Sequence, residues 1–153
     1  MEISQLLEQE LQLLHNKILS NAQVAGKKVT GKTIASLESL VVKKSDSVNA
    51  TISAAPWFFT LEHGRGPAKG KASGSDFLQN LKSWIQTKGI PVADDNELER
   101  LAKFLKWRIN TSGTRQYRQG AKTDIYTQAI DDFKNNIPQK VKELYINQIK
   151  NML

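Results

Sequence analysis

Apolar residues at Ile3, Leu7, Leu11, Leu14 and Ile18 recur at spacings of four, four, three and four, the period of one helix face. They predict an amphipathic helix over about residues 3–21, widened by Leu6 and Leu13 and closed by exit signals at Asn21 and Gly26. Thr30-Gly31 reads as a turn, followed by a short helical or turn piece. The period then changes. Leu37 to Lys43 is strand-like, with Val41 and Val42 β-branched. After the turn KSDS, Val48, Ala50, Ile52 and Ala54 alternate with Asn49, Thr51 and Ser53. Alternation of this kind predicts a strand with one buried face, and the two segments read as a β-hairpin. WFFTLEH, opened by Pro56, is a third strand candidate. As a strand it would place Trp57 and Phe59 on one side and Phe58 and Thr60 on the other.

Past the glycine-rich stretch the pattern returns to helices. Ser75 is placed to cap a helix from Asp76 to Lys88 with Phe77, Leu78, Leu81, Trp84 and Ile85 on its apolar face and Gly89 as its stop. Asp94 and Glu97 form a capping-box variant ahead of Leu98, Leu101, Ala102, Leu105 and Ile109, and Gly113 ends that helix. TSGTRQYRQGAKTD reads as a basic loop. Thr123 or Asp124 starts a last helix bearing Ala129, Ile130, Phe133 and Ile137. Pro138 is expected to kink or restart it before Val141, Leu144, Tyr145, Ile149 and Met152 continue the stripe. The fold class is α+β: an N-terminal helix, a small antiparallel sheet, then three to four helices including a long C-terminal one. The length of 153 residues suits a single domain, residues 1–153, with a helical insertion at about 75–122.

Charge sharpens this picture. The net charge is +7, and Arg100, Lys103, Lys106, Arg108, Arg115, Arg118 and Lys122 run without an intervening acid. Those seven equal the whole excess, so the rest of the chain is balanced. The lysines and Arg100 on the helix suit a solvated face, with Phe104 and Trp107 serving a core. Basic charge interleaved with Phe104, Trp107 and Tyr117 also suits single-stranded nucleic acid. Arg115, Arg118 and Lys122, on a loop, are the best candidates to meet an anionic partner, nucleic acid or acidic protein. With no cysteine, disulfides and thiolate chemistry are excluded. No apolar run is long enough to span a membrane, and the acid-bearing N-terminus does not read as a secretory signal, so an intracellular setting is the expectation.

The stretch GRGPAKGKASG suggests a phosphate cradle, but its glycines miss both the P-loop and the dinucleotide spacing. His15 and His63 are too few for a metal site, and Glu62 and His63, as strand neighbours, would point apart. No catalytic, cofactor or metal residues are assigned, and no enzyme is expected. The aromatics Trp57, Phe58 and Phe59 raise a different question. Either helices cover both faces of the strand, or some rings are exposed and a partner covers them.

In their order, TGKTIASL, a hairpin, APWFFTLEHGRGP and a C-terminal helix resemble the small neck, head–tail connector and tail-completion proteins of tailed bacteriophages. Thr30, Gly31 and Ser36 match that family's Thr-Gly-x-Leu-x-x-Ser segment, with Thr33 where Leu is common. Ala55 to Gly66 match its Tyr-Ala-x-x-(Val/Leu)-Glu-x-Gly stretch. The likeness covers residues 1 to about 68 and the final helix. The middle resembles a longer variant, with a Trp-Ile-x-x-Lys-Gly-Ile turn and an Ile-x-x-x-Gly-Thr exit. The resemblance implies a non-catalytic virion protein, without cofactors or membrane contact. It implies a homo-oligomeric ring, six- or twelvefold, at the head–tail junction, assembled in the host cytoplasm. Its partners would be a portal-side adaptor and tail-tube proteins, with DNA passing through the ring. The expected subunit interface is Trp57, Phe58, Phe59, Glu62, Gly64, Arg65, Gly66 and Pro67, with the glycine-rich stretch as a docking segment and Glu62 pairing with a base, on a neighbour or within the chain. The alternative is a nucleic-acid-binding module using residues 100–122.

Overall fold

The computed structural model describes residues 1–27, 33, 35–68 and 75–152. The architecture is α+β. Its order is α1 (Ile3–Val24), β1 (Glu38–Lys43), β2 (Val48–Ser53), a 3-10 turn (Pro56–Phe59), α2 (Thr60–His63), α3 (Ser75–Thr87), α4 (Asp95–Ser112), α5 (Arg115–Arg118) and α6 (Thr127–Lys150). The expected turn at Thr30-Gly31 and the capping side chain of Ser75 lie outside the described residues. The chain divides into two compact units, Met1–Glu62 with Thr123–Leu153, and His63–Lys122. The second contains the whole 75–122 segment and begins at His63.

In the first unit, the i, i+4 stripe of α1 becomes the core as its spacing predicts. Leu11, Leu14, Ile18 and Ala22 are buried with Leu37, Phe58, Ile125 and Ala129. β1 and β2 pair antiparallel, with Val41 opposite Ala50 and Leu40 opposite Thr51. Directly paired residues share a face. Val41 and Ile52 therefore turn together toward this core, while Leu40 and Val42 stand on the outer face, exposed. Lys140 of α6 is bound to Glu10 of α1 at 2.6 Å.

Two expectations for this unit are corrected. The segment WFFTLEH is not a third strand; it winds into the 3-10 turn and α2, and the sheet has two strands. Proline at the first position presets a helical φ, and the Thr60 hydroxyl donates to the Trp57 carbonyl at 2.7 Å, closing the turn locally. Helix α6 does not restart at Pro138; it is continuous from Thr127 to Lys150. Proline there removes one backbone donor, and the flanking hydrogen bonds carry the helix across.

In the second unit, α3 and α4 form a helical pair. Leu81 and Ile85 meet Leu98 and Ala102, and Phe77, Leu101, Leu105 and Ile109 pack around them. Asp94 caps α4 by accepting from the Glu97 N–H at 2.8 Å, as its place before an apolar run predicts. Glu99 binds Lys82 across the pair at 2.9 Å and Lys103 at 2.8 Å. Hydrogen bonds from Lys103 and then Lys82 hold its carboxyl down, at about 2. One pair of helices has one buried stripe. Trp84, Phe104 and Trp107, expected to serve the core, are exposed instead.

Candidate assembly surface

In the first unit the candidate surface is built around two residues that are themselves hidden. Phe58 is 2% exposed and Glu62 is 0% exposed. In a helical turn, residues four apart fall on one side, so winding Pro56–His63 sends both inward and turns Trp57 and Phe59 out. A strand would have grouped Phe58 with Thr60 instead.

Ser36 fixes the entry to this turn. Its hydroxyl donates to the Thr33 carbonyl at 2.7 Å and accepts the Ala55 N–H at 3.3 Å. Glu62 fixes the exit. One carboxylate oxygen accepts the backbone N–H groups of Ile125 at 3.3 Å, Tyr126 at 2.9 Å and Thr127 at 3.0 Å; the other accepts the Thr127 hydroxyl. The Thr123 N–H adds a bond to the Glu62 carbonyl at 2.9 Å. The Tyr126 side chain caps nothing; Glu62 caps the start of α6 from across the chain, and Asp124 adds a local bond by accepting the Gln128 N–H at 3.3 Å. Burial alone would push this carboxyl up. The Thr127 hydroxyl and the three N–H groups outweigh burial and hold it at about 2. These donors sit at the positive end of the helix dipole, which favours the anion further. This internal capping role was not among the expectations for Glu62.

The outward Phe59 ring is held from beneath. The Phe59 ring meets the edge of Tyr126 in a T-shaped contact at 5.6 Å, and the Tyr126 hydroxyl donates to the Phe59 carbonyl at 3.2 Å. Burial first, and the Glu62 charge second, raise the Tyr126 hydroxyl above its ordinary pKa. Trp57 and Phe59 are each more than half exposed. Phe59, braced by Tyr126, has less ordering entropy left to lose, and exposed Trp and Phe rings of this kind suit an interface.

In the second unit, Gly64 to Ala68 is engaged by its own chain. The Arg65 N–H donates to the Thr114 hydroxyl at 3.0 Å, and the Thr114 N–H donates to the Arg65 carbonyl at 2.8 Å. The Ala68 N–H reaches the Asn110 carbonyl at 2.9 Å. Gly64 has φ +76°, and a Cβ there would stand 2.5 Å from the Thr114 hydroxyl oxygen and 2.7 Å from the Tyr117 backbone nitrogen. At Gly66 a Cβ would press on the Tyr117 ring at 3.2 Å. The Arg65 guanidinium lies 4.0 Å from the centre of the Phe77 ring. The backbone from Gly64 to Gly66 therefore docks onto the Gly113–Tyr117 turn of its own chain. Pro67 is exposed, and residues 69–74 lie outside the described residues.

The expected basic loop is partly helical. Thr114 caps the single turn of α5, and Arg115 and Arg118 project from it into solvent; Lys122 is exposed beyond it. Sequence reading missed Thr114 and Tyr126 as organising residues. The Gly113-Thr114 exit motif was the visible signal for the first. The second had none, because its partners Phe59 and Glu62 are more than sixty positions away. Among the described residues no three His, Asp or Glu side chains gather as a metal site, and no helix is long and apolar enough to cross a membrane. Comparison with known proteins found no matching family model, no matching curated protein and no matching solved structure.

Proposed function

We propose that this chain is a structural subunit of a tailed-phage neck or tail-completion ring, joining copies of itself between the portal-bearing head and the tail. One observation carries the assembly reading. The two-stranded hairpin shows Leu40 and Val42 on its outer face, and among the described residues neither strand edge is paired with a further strand. The hairpin's inner face is packed on the α1 core, and its open edges invite another strand. The same unit presents Trp57 and Phe59 on a turn anchored by Phe58 and Glu62. A ring needs a head-to-tail contact between two different patches that closes on rotation, and the hairpin and the aromatic turn supply two. The phage setting rests on the resemblance of residues 1 to about 68 and of the final helix.

The test is co-expression of the chain with the products of its flanking genes, followed by negative-stain imaging and mass photometry. Closed rings containing this chain, lost on substitution of Leu40 and Val42 by lysine, support the reading. A chain that stays monomeric alone and with every flanking product overturns it.

A further inference from the structure

The outer side of α4 carries a second surface, in the other unit and independent of ring assembly. Leu98 and Ala102 define the buried side of this helix. Phe104 and Trp107 lie opposite, 51% and 61% exposed, with ring centres 6.1 Å apart and planes tilted by 35°. Around them on the same helix stand Arg100, Lys103 and Arg108, all exposed. Lys103 shares its charge with Glu99, while Arg100 and Arg108 form no ion pair among the described residues. No acidic residue occurs from Arg100 to Lys122.

We propose that this face binds single-stranded nucleic acid, with nucleobases stacked on Phe104 and Trp107 and phosphates held by Arg100, Lys103 and Arg108. The ligand must satisfy two demands together. An apolar protein surface would cover the rings but would strand desolvated guanidinium groups beside them. An acidic peptide would satisfy the cations and leave the rings wet. A duplex keeps its base faces within its own stack. A single strand offers flat π-faces and a regular line of negative charge at once. The rings are solvent-facing and three residues apart on a rigid helix, so they need no rearrangement to accept bases.

The test uses the full chain and fluorescence anisotropy with a labelled oligothymidine of about 15 nucleotides, a span suited to one such site. Four comparisons accompany it: an abasic strand of equal length, the matching duplex, polyglutamate as competitor, and a salt series. The oligothymidine is expected to bind at least about tenfold more tightly than the abasic strand, the size of one stacked base. Its affinity should fall with salt on a log–log slope of about −2, from three neutralised phosphates. The double variant Phe104→Ala/Trp107→Ala should lose the preference for bases while keeping the salt slope, and Trp107→Phe should retain the preference. Arg100→Gln/Arg108→Gln should flatten the slope. Equal binding of thymidine and abasic strands, tighter binding of the duplex, displacement by polyglutamate as effective as by unlabelled strand, or no binding at low salt would each overturn the proposal. The abasic comparison needs no variant, so it decides even if an alanine substitution disturbs folding.

Discussion

Thr127 binds both oxygens of Glu62, its hydroxyl to one and its backbone N–H to the other at 3.0 Å, across 65 positions of sequence. Through this pair the start of α6 is fastened to the end of the aromatic turn. Helix start, turn and the Phe59–Tyr126 contact therefore stand or fall together.

Acid should loosen this fastening. The Glu62 carboxyl sits at about 2 in the folded protein against an ordinary 4.5. A depressed carboxyl stabilises the fold above its unfolded pKa and ceases to as pH falls toward the folded value. The full effect is therefore present above about pH 4.5 and is lost progressively between there and about pH 2, amounting to about 3 kcal/mol. Glu62→Gln should cost about 2 kcal/mol near neutral pH, because a neutral amide replaces the anion at four donors. It should also reduce the acid sensitivity in that window, leaving the part that Glu99 contributes. Urea melts of both proteins across the pH series measure this; equal acid sensitivity would show that Glu62 is not the responsible group.

Neighbouring rings should separate stability from assembly. Phe58→Ala empties a buried site and should cost about 3–5 kcal/mol. Phe59→Ala, at an exposed position, should cost about 1 kcal/mol through its Tyr126 contact, yet weaken oligomers. Thermal melts paired with mass photometry distinguish the two effects.

Leu40→Lys with Val42→Lys should leave the melting temperature almost unchanged, since both side chains face solvent, a class of substitution usually worth within about 0.5 kcal/mol each. Oligomer formation should be abolished. Assembly that survives both lysines would place the contact elsewhere.

Gly64→Ala should be costly for a residue without a side chain. Its positive φ and the approach of Thr114 and Tyr117 leave no room for a methyl group. The loss should be at least about 2 kcal/mol. Gly89→Ala, with a similar φ of +65° but open space around it, should pay the backbone strain alone. Chemical denaturation of the two variants compares them.

Much of the fold was legible before any coordinates. The α1 stripe, the hairpin alternation, the Asp94 cap and the paired stripes of α3 and α4 each declare themselves within one window of sequence. The aromatic turn was not legible, because Trp57-Phe58-Phe59 has strand propensity and only the buried position of Phe58 against α1 selects a helical winding. Helix α6 was placed too early for a related reason. Thr123 and Asp124 look like caps, and Asp124 does accept the Gln128 N–H, but the N–H groups of Ile125, Tyr126 and Thr127 go to the distant Glu62.

What the sequence determined alone was periodicity and charge: which segments are helix or strand-like, where apolar stripes lie, and that the basic excess falls between residues 100 and 122. Tertiary structure decided which apolar residues are covered. Both Phe58 and Trp107 are aromatic within apolar patterns, yet one is sealed and the other bare. Local pattern sets only the direction a side chain takes from its element. Burial depends on whether another element lies in that direction, and that is settled by contacts between residues far apart in the chain.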